Sequence, residues 1–262
     1  MGTKKYIHGT SDSEQERLSK LNFLTNESFI QFLNCNPSDK ILEIGSGLGI
    51  LAEHISRKLV KGKLIGIELS LEQIRNCPAS TKTLEFLQGD VHKLPFPDSS
   101  FDKIYGRYIL EHLSKPINAL KEAFRVLKPG GEIYIQENSI LLIEFFPSCE
   151  NFRNVWKKFA ELQQKLGGDA MIGIKLHQLL LNSGFQDIQL SLAPEIHWYG
   201  EDSFEPWIEN LIKNVEGAAA ELINYKLASK KEIILAISDL NNFKLNSQAS
   251  TYFYWNRARA VK

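Results

Sequence analysis

The chain has no excess of charge of either sign. Lysine and arginine together number 31, and aspartate and glutamate also number 31, among 262 residues. A protein with this balance has no global basic field that would attract nucleic acid or an anionic membrane surface. We therefore expect a neutral or small partner and no nucleic-acid substrate.

Long apolar runs and cysteine motifs are also lacking. The longest apolar stretch, residues 139–147, is interrupted by Glu144 and is too short to cross a bilayer, so we expect no membrane span. The three cysteines form neither a C-x-x-C pair nor a zinc-binding pattern with histidine, and the first residues lack the apolar segment of a secretion signal. These features predict reduced thiols, no bound metal and a cytoplasmic protein.

A short apolar strand that runs into three closely spaced glycines is the strongest signal present. Residues 41–44 read as a strand buried on both faces, and residues 51–59 continue at helical spacing. At Gly45 and Gly47 the missing Cβ allows positive φ and close approach of a ligand, and a helix that begins near Gly49 offers free N–H groups to an anion. The G-x-G-x-G spacing is tighter than the dinucleotide fingerprint, so a turn that binds no ligand is an equal alternative.

Acidic residues end the next two apolar strands. Glu68 follows the run 63–67 and lies about twenty residues after the glycines, the interval at which a carboxylate can accept both ribose hydroxyls. The alternative is that Glu68 is only an acid at a helix start, since Ser70 could cap the following helix. Asp90 follows the run 84–88, at the sheet edge where ligands collect, and can accept from an exocyclic amine. With further strands within 101–106 and 127–135, the alternation of strand and helix predicts an α/β fold.

Five ordered motifs lie between about residues 38 and 138, at 42–49, 68, 89–90, 110–113 and 127–131. Together they resemble class I S-adenosylmethionine-dependent methyltransferases, in the small-molecule branch with the ubiquinone and menaquinone biosynthesis C-methyltransferases and the methyltransferase type 11 domain. The resemblance implies a Rossmann-like, seven-stranded, mostly parallel sheet of order 3-2-1-4-5-7-6 whose last strand is antiparallel. It also implies S-adenosylmethionine as the cofactor.

The resemblance further implies which residues hold that cofactor. From its amino-acid end through the ribose to the adenine, the implied residues are Gly45, Ser46 and Gly47, then Glu68, then Asp90 with Leu69 and Val91 beside the ring. Arg107 stands where the family commonly has a small residue. It would face the cofactor carboxylate or an acidic substrate, and a solvated loop charge is an equal alternative.

The N-terminal segment is predicted to cover the cofactor, as such segments do in some family members. After a polar arm of residues 1–12, a helix with one break is expected to reach Leu33. By the same resemblance, Tyr6 would close over the sulfonium end. Arg17 would pair with the cofactor carboxylate, or it would be an exposed helix charge. His8 is a candidate acid or base on the substrate side, or a surface residue.

Two further histidines are candidate proton acceptors. His112, in the loop after the fourth strand, is the most attractive general base by residue type, but its pairing with Glu111 is widespread in the family regardless of substrate, which favours a positioning role. His197 is the other candidate, and its spacing identifies no partner. Eight aromatic residues of the insertions either bind a flat, apolar acceptor or form the insertions' own core: Phe145, Phe146, Phe152, Trp156, Trp198, Tyr199, Phe204 and Trp207.

The predicted organisation has six parts. They are an N-terminal arm and helical cap (1–36), a cofactor-binding core (37–138), a lid insertion (139–172), a continuation of the core (173–200), a helical insertion (201–248) and a final core strand (249–262).

The function predicted from these features is transfer of a methyl group by in-line displacement to O, N or C of a small, aromatic or apolar metabolite. The partner would be a small-molecule acceptor, and the chain would act as a monomer or a homodimer. A non-catalytic S-adenosylmethionine-binding regulator is the alternative from another class. A NAD-dependent oxidoreductase is a further alternative, which the tight glycine spacing disfavours.

Overall fold

A computed structural model describes residues 26–262 of the chain. Helix α1 is described over residues 26–33. The elements that follow are β1 (Lys40–Ile44), α2 (Ile50–Ser56), β2 (Lys63–Glu68), α3 (Leu71–Arg75), β3 (Leu84–Gln88), β4 (Phe101–Arg107), a 3₁₀ helix (Leu110–His112), α4 (Pro116–Val126), β5 (Leu127–Glu137), β6 (Glu144–Phe146), α5 (Glu150–Lys165), a second 3₁₀ helix (Ile172–Lys175), α6 (Leu176–Leu181), β7 (Gln186–Trp198), α7 (Phe204–Asn224), α8 (Lys230–Lys244) and β8 (Ser250–Val261).

The strands form one sheet of order β3-β2-β1-β4-β5-β8-β6, and β7 also pairs with β8. Strands β1 to β5 pair in parallel, whereas β8 runs antiparallel to β5 and to β6. The predicted Rossmann-like order is confirmed, because β7 and β8 are the predicted sixth and seventh strands. Strand β6 was not predicted, since three residues are too few to show the alternation of a strand.

The described residues divide into two compact units. The core unit comprises residues 26–137, Ile172–Ala193 and Asn256–Lys262, and the insert unit comprises Asn138–Met171 and Pro194–Trp255. The assignment of residues 139–172 and 201–248 as a lid stays a prediction.

The sheet of the core unit is covered on both faces. Successive residues of β1 belong to different hydrophobic clusters: Ile41 packs with Phe29 of α1 and Ile55 of α2, whereas Leu42 packs with Leu120 of α4. A strand buried on both faces needs apolar side chains at every position, which is why residues 41–44 show no polar alternation apart from one acid. The carboxyl ends of the parallel strands therefore open at one edge of the sheet, where α/β proteins bind ligands.

Helices α5, α7 and α8 make up most of the insert unit. Five of the eight aromatic residues singled out in the sequence are buried there: Phe145, Phe152, Trp156, Phe204 and Trp207. Their rings contact one another, and the ring centroids of Phe145 and Phe152, for example, are 5.2 Å apart in an edge-to-face arrangement. These five form the unit's own core, whereas Phe146, Trp198 and Tyr199 are exposed.

No described helix is both long enough and apolar enough to cross a membrane.

Candidate functional site

The turn between β1 and α2 has an unusual backbone. Gly45, Gly47 and Gly49 all adopt positive φ, at 72°, 54° and 70°. The N–H groups of Gly45 and Ser46 both donate to the carbonyl oxygen of Ile67 in β2, at 2.9 and 3.0 Å. The turn is thus attached to the neighbouring strand, and its conformation requires residues without a Cβ.

Two of these glycines also face side chains that leave no room for a methyl group. A Cβ at Gly45 would fall 2.3 Å from Cδ1 of Ile109, and one at Gly49 would fall 2.4 Å from Cζ of Phe86. At Gly47 the nearest atom to a Cβ would be Oε1 of Gln73, at 3.4 Å. The middle of the turn is therefore the position at which a ligand can come close to the backbone.

Glu68 ends β2 beside this turn. Its Oε2 accepts a hydrogen bond from the N–H of Gly47 at 3.0 Å, and its Oε1 accepts one from the N–H of Ser70 at 2.9 Å. Ser70 itself caps α3, because its side chain accepts from the N–H of Gln73. The carboxylate that the sequence placed at the second strand therefore lies against the glycine turn, and each oxygen keeps a lone pair for a further donor.

A second acid near the turn, Glu43 in β1, was not singled out in the sequence. Its Oε2 and the Oγ of Ser46 are buried and have no hydrogen-bond partner among residues 26–262. Burial raises the pKa of Glu43 to about 8, against the lowering influence of the Tyr105 hydroxyl and the Arg107 guanidinium. A buried carboxyl with an unpaired oxygen is suited to binding a cation or a donor group of a ligand.

Arg107 ends β4 and is half-buried. Its Nη2 donates to Oδ1 of Asn26 at 2.7 Å, and its guanidinium lies over the rings of Phe29 and Tyr108, at 5.7 and 5.1 Å from their centroids. Its charge also acts on the Glu43 carboxyl. These contacts place Arg107 in a packed, partly buried environment at the end of β4, and its role towards a cofactor or a substrate stays a prediction.

Asp90 follows β3 and is held by His92. Its Oδ1 is 2.9 Å from the N–H and 2.7 Å from Nδ1 of His92. Burial alone would raise the pKa of Asp90, but these hydrogen bonds and the nearby imidazole lower it below its usual value. Oδ2 accepts no hydrogen bond from any residue of the described chain. Half of the side chain is exposed, so an incoming amine can reach this oxygen.

The two apolar residues predicted beside the adenine ring differ in exposure. Leu69 is 68% exposed after β2, whereas Val91 is buried after β3. An exposed leucine next to Glu68 offers an apolar surface to a flat ring.

The loop between β4 and α4 is fixed by the last two residues of β5. Tyr108 adopts φ 57°, rare for a residue with a Cβ, and its N–H donates to the Gln136 carbonyl. The side-chain amide of Gln136 donates to the Tyr108 hydroxyl at 2.6 Å. The Glu137 carboxylate accepts from the N–H groups of Ile109 and Leu110, at 2.9 and 2.8 Å. The sequence did not indicate the roles of Gln136 and Glu137, because no local pattern marks them as partners of a distant loop.

The candidate histidines lie in different surroundings. His112 is partly exposed at the end of the first 3₁₀ helix, with Nε2 3.8 Å from Oε1 of Glu111. His197 is buried in the insert unit, where it stacks on Trp207 at 4.8 Å and hydrogen-bonds Ser203. Tyr6, His8 and Arg17 lie outside the described residues, and their roles stay predictions.

No group of three or more His, Cys, Asp or Glu side chains within residues 26–262 is arranged to hold a metal ion.

The sequence profile of a family described as a methyltransferase domain matches residues 42–135, the segment that contains the glycine turn, Glu68, Asp90 and Arg107. Residues 42–135 form a class I, S-adenosylmethionine-dependent methyltransferase domain.

Several known proteins are similar to this chain in sequence or in fold. The ubiquinone/menaquinone biosynthesis C-methyltransferase UbiE of Bdellovibrio bacteriovorus is 26% identical over 136 residues, which is 50% of this chain and 58% of that protein. In fold, the chain is similar to the YcgJ protein of Bacillus subtilis, with a TM-score of 0.60 at 19% identity over 92% of this chain and 98% of that one. It is also similar to phosphoethanolamine N-methyltransferase 2 of Haemonchus contortus, crystallised with phosphomonomethylethanolamine and S-adenosylhomocysteine, with a TM-score of 0.57 at 17% identity over 91% of this chain and 52% of that one.

The chain spans about half the length of the curated relatives it matches, or less.

The glycine turn of this methyltransferase domain can be tested with two alanine variants. Gly45 and Gly130 have the same φ of 72°, but a Cβ at Gly130 would meet nothing within 4 Å. Gly130→Ala should therefore cost only the backbone strain, about 1 kcal/mol of unfolding free energy. Gly45→Ala adds the clash with Ile109 and should cost roughly 2–4 kcal/mol in total. Chemical denaturation measures both, and equal losses would show that the contact with Ile109 does not constrain the turn.

Proposed function

We propose that the protein is an enzyme that transfers a methyl group from S-adenosylmethionine to a small-molecule acceptor. The observation that carries the proposal is the junction of the Glu68 carboxylate with the N–H of Gly47, at 3.0 Å. A carboxylate at this junction can accept ribose hydroxyls while the turn beside it receives the rest of the ligand.

The residues of the domain fit the chemical groups of this cofactor in order. Ser46 and the backbone of Gly45 and Gly47 would lie beside the amino-acid end. There the unpaired oxygen of Glu43 would accept from its ammonium group, and Arg107 would pair with its carboxylate. Glu68 would bind the ribose hydroxyls.

The adenine would lie at the ends of β2 and β3. The free oxygen of Asp90 would accept from the adenine amine, and Leu69 and Val91 would contact the ring on either side. Leu69 has the exposed surface that this contact needs, and Val91 forms the buried floor.

When bound, S-adenosylmethionine supplies a methyl group that is already activated on a sulfonium, so the protein has to align the acceptor, exclude water and remove a proton where the acceptor carries one. His112 is the candidate for the proton, because it is partly exposed and lies near the Glu111 carboxylate. His8 is the second candidate. Tyr6 and Arg17 are proposed to close over the cofactor.

The acceptor is proposed to be aromatic or otherwise apolar. Three aromatic side chains of the insert unit, Phe146, Trp198 and Tyr199, are exposed, and exposed rings of this kind stack on flat ligands. The relatives act on different atoms by name, since one is a C-methyltransferase and the other an N-methyltransferase. The choice between O, N and C therefore rests on the acceptor itself.

Three cysteines without a disulfide, Cys35, Cys77 and Cys149, fit a reducing compartment, and we place the protein in the cytoplasm.

Calorimetry with two ligands tests the cofactor. We expect S-adenosylhomocysteine to bind and NAD not to bind, because the turn lacks the spacing of a dinucleotide site. Binding of NAD alone would overturn the proposal.

Incubation with radiolabelled S-adenosylmethionine and a panel of quinones, phenols and amines then tests catalysis. Binding without any transfer across the panel would favour the regulator instead.

A further inference from the structure

Glu137 has an unusual position for a carboxylate. It ends β5 with no exposed surface, and it carries no partner of opposite charge in the core unit that would explain its burial. Burial, then the charge of Glu111, raise the pKa of Glu137, and the N–H groups that it binds act in the opposite direction. Burying an acid without a partner of opposite charge destabilises the fold, so the contacts of Glu137 should indicate why it is there.

The carboxylate of Glu137 acts as the cap of a helix that lies elsewhere in the sequence. Besides the N–H groups of Ile109 and Leu110, the N–H of Glu111 lies 3.4 Å from its Oε2. These are the first amides of the 3₁₀ helix Leu110–His112, whose own capping residue, Ile109, provides no side-chain hydrogen bond. Helix N-termini need such acceptors, and here one comes from 26 to 28 residues away.

The loop held in this way reaches the glycine turn through one side chain. Ile109 occupies the space where a Cβ of Gly45 would be, and its Cγ2 lies 3.1 Å from the corresponding position at Gly106. The side chain therefore packs against the carboxyl ends of both β1 and β4. A shift of the loop would move Ile109 off the turn.

We propose that Glu137 is a positioning residue, whose buried carboxylate fixes the loop 107–112 so that Ile109 closes over the glycine turn and sets the affinity of the cofactor site. Only the part of this proposal that concerns cofactor affinity rests on the proposed function. Gln136 supports the same arrangement from the other side, because it holds Tyr108 by its carbonyl and by its amide.

Hydrogen exchange and S-adenosylhomocysteine binding together test the proposal in two variants. In Glu137→Met all acceptors are lost, so the amides of residues 109–111 should exchange at least about tenfold faster, and S-adenosylhomocysteine should bind roughly 10- to 100-fold more weakly. Glu137→Gln keeps one acceptor oxygen and should fall between this variant and the wild type. If Glu137→Met does not fold, Glu137→Gln carries the test.

Glu132→Gln is the matched control. Glu132 lies at the middle of β5, where it binds Lys103, Tyr134 and Arg259, so its loss disturbs a partly buried network at a different position of the same strand. The affinity for S-adenosylhomocysteine and the exchange of residues 109–111 should stay within about twofold of the wild type in this variant.

A double-mutant cycle separates positioning from a general loss of stability. If Glu137 acts through Ile109, the effect of Glu137→Gln on affinity should disappear in an Ile109→Ala background. Equal effects in both backgrounds, or faster exchange of the loop with unchanged affinity, would overturn the proposal. If the wild type does not bind S-adenosylhomocysteine at all, the proposed function fails, and the exchange data alone then decide whether Glu137 holds the loop.

Discussion

Replacing Glu43 by glutamine should stabilise the ligand-free protein at alkaline pH and weaken its cofactor binding at the same time. The pKa of Glu43 is raised from 4.5 to about 8, so between these values the folded protein keeps a proton that the unfolded chain has released. The contribution of Glu43 to stability is therefore fully present below pH 4.5 and is lost as the pH rises through about 8. The glutamine side chain does not ionise, so the variant does not lose this contribution. The unfolding free energy of Glu43→Gln should exceed that of the wild type by roughly 2–4 kcal/mol at pH 9, once a cost of about 1 kcal/mol for an unpaired amide N–H is subtracted.

The two effects of Glu43→Gln have separate readouts. Denaturation at pH 5 and at pH 9 measures the first, and the difference between the proteins should be small at pH 5. Calorimetry with S-adenosylhomocysteine measures the second, since an ammonium group binds the carboxylate and not the acid. The wild-type affinity should rise with pH towards 8 and exceed that of the variant by about 10- to 100-fold. Parallel pH profiles of the two proteins would show that Glu43 does not meet the cofactor.

Glu68→Ala should lose affinity for every ligand that contains the ribose. Two charge-assisted hydrogen bonds would be removed from the hydroxyls, and the Gly47 and Ser70 amides would lose their acceptor. We expect S-adenosylhomocysteine to bind at least about 10-fold more weakly, and up to about 150-fold. The measurement is calorimetry, with the exposed pair of Lys63 and Glu85 supplying the control Glu85→Gln, which should change nothing.

A truncated ligand distinguishes the two acids. 5′-Methylthioadenosine has the ribose and the adenine but no amino-acid group, so Glu68→Ala should weaken its binding as much as that of S-adenosylhomocysteine. Glu43→Gln should leave its binding unchanged. If both variants affect it equally, the two carboxylates do not bind the separate ends that we assign to them.

The parts of the site that the sequence predicted are those with short-range signals. Glycines with positive φ leave a spacing pattern, and Glu68 and Asp90 stand at the ends of apolar runs, where a parallel sheet collects functional groups. The sheet order follows from strand and helix alternation and from the resemblance to the family. These features need no knowledge of which distant residues meet.

The parts that were missed depend on packing. Glu43 reads as one polar residue within an apolar strand, and its raised pKa exists only because both faces of the sheet are covered. Glu137 lies 28 residues from the amide of Ile109, and no period or motif links them. Likewise, the packing of α5, α7 and α8 decides which aromatic residues form the core of the insert unit. The sequence therefore could not show that Phe152 is buried and Phe146 is exposed.

The bonds from Gly45 and Ser46 to the Ile67 carbonyl have a kinetic consequence. Because the chain holds this turn by its own hydrogen bonds, a ligand need not order it during the encounter, and little conformational entropy is lost there. Association should then proceed at the ordinary rate of a rigid receptor. Differences in affinity among variants of this turn should appear mainly in how long the complex lasts.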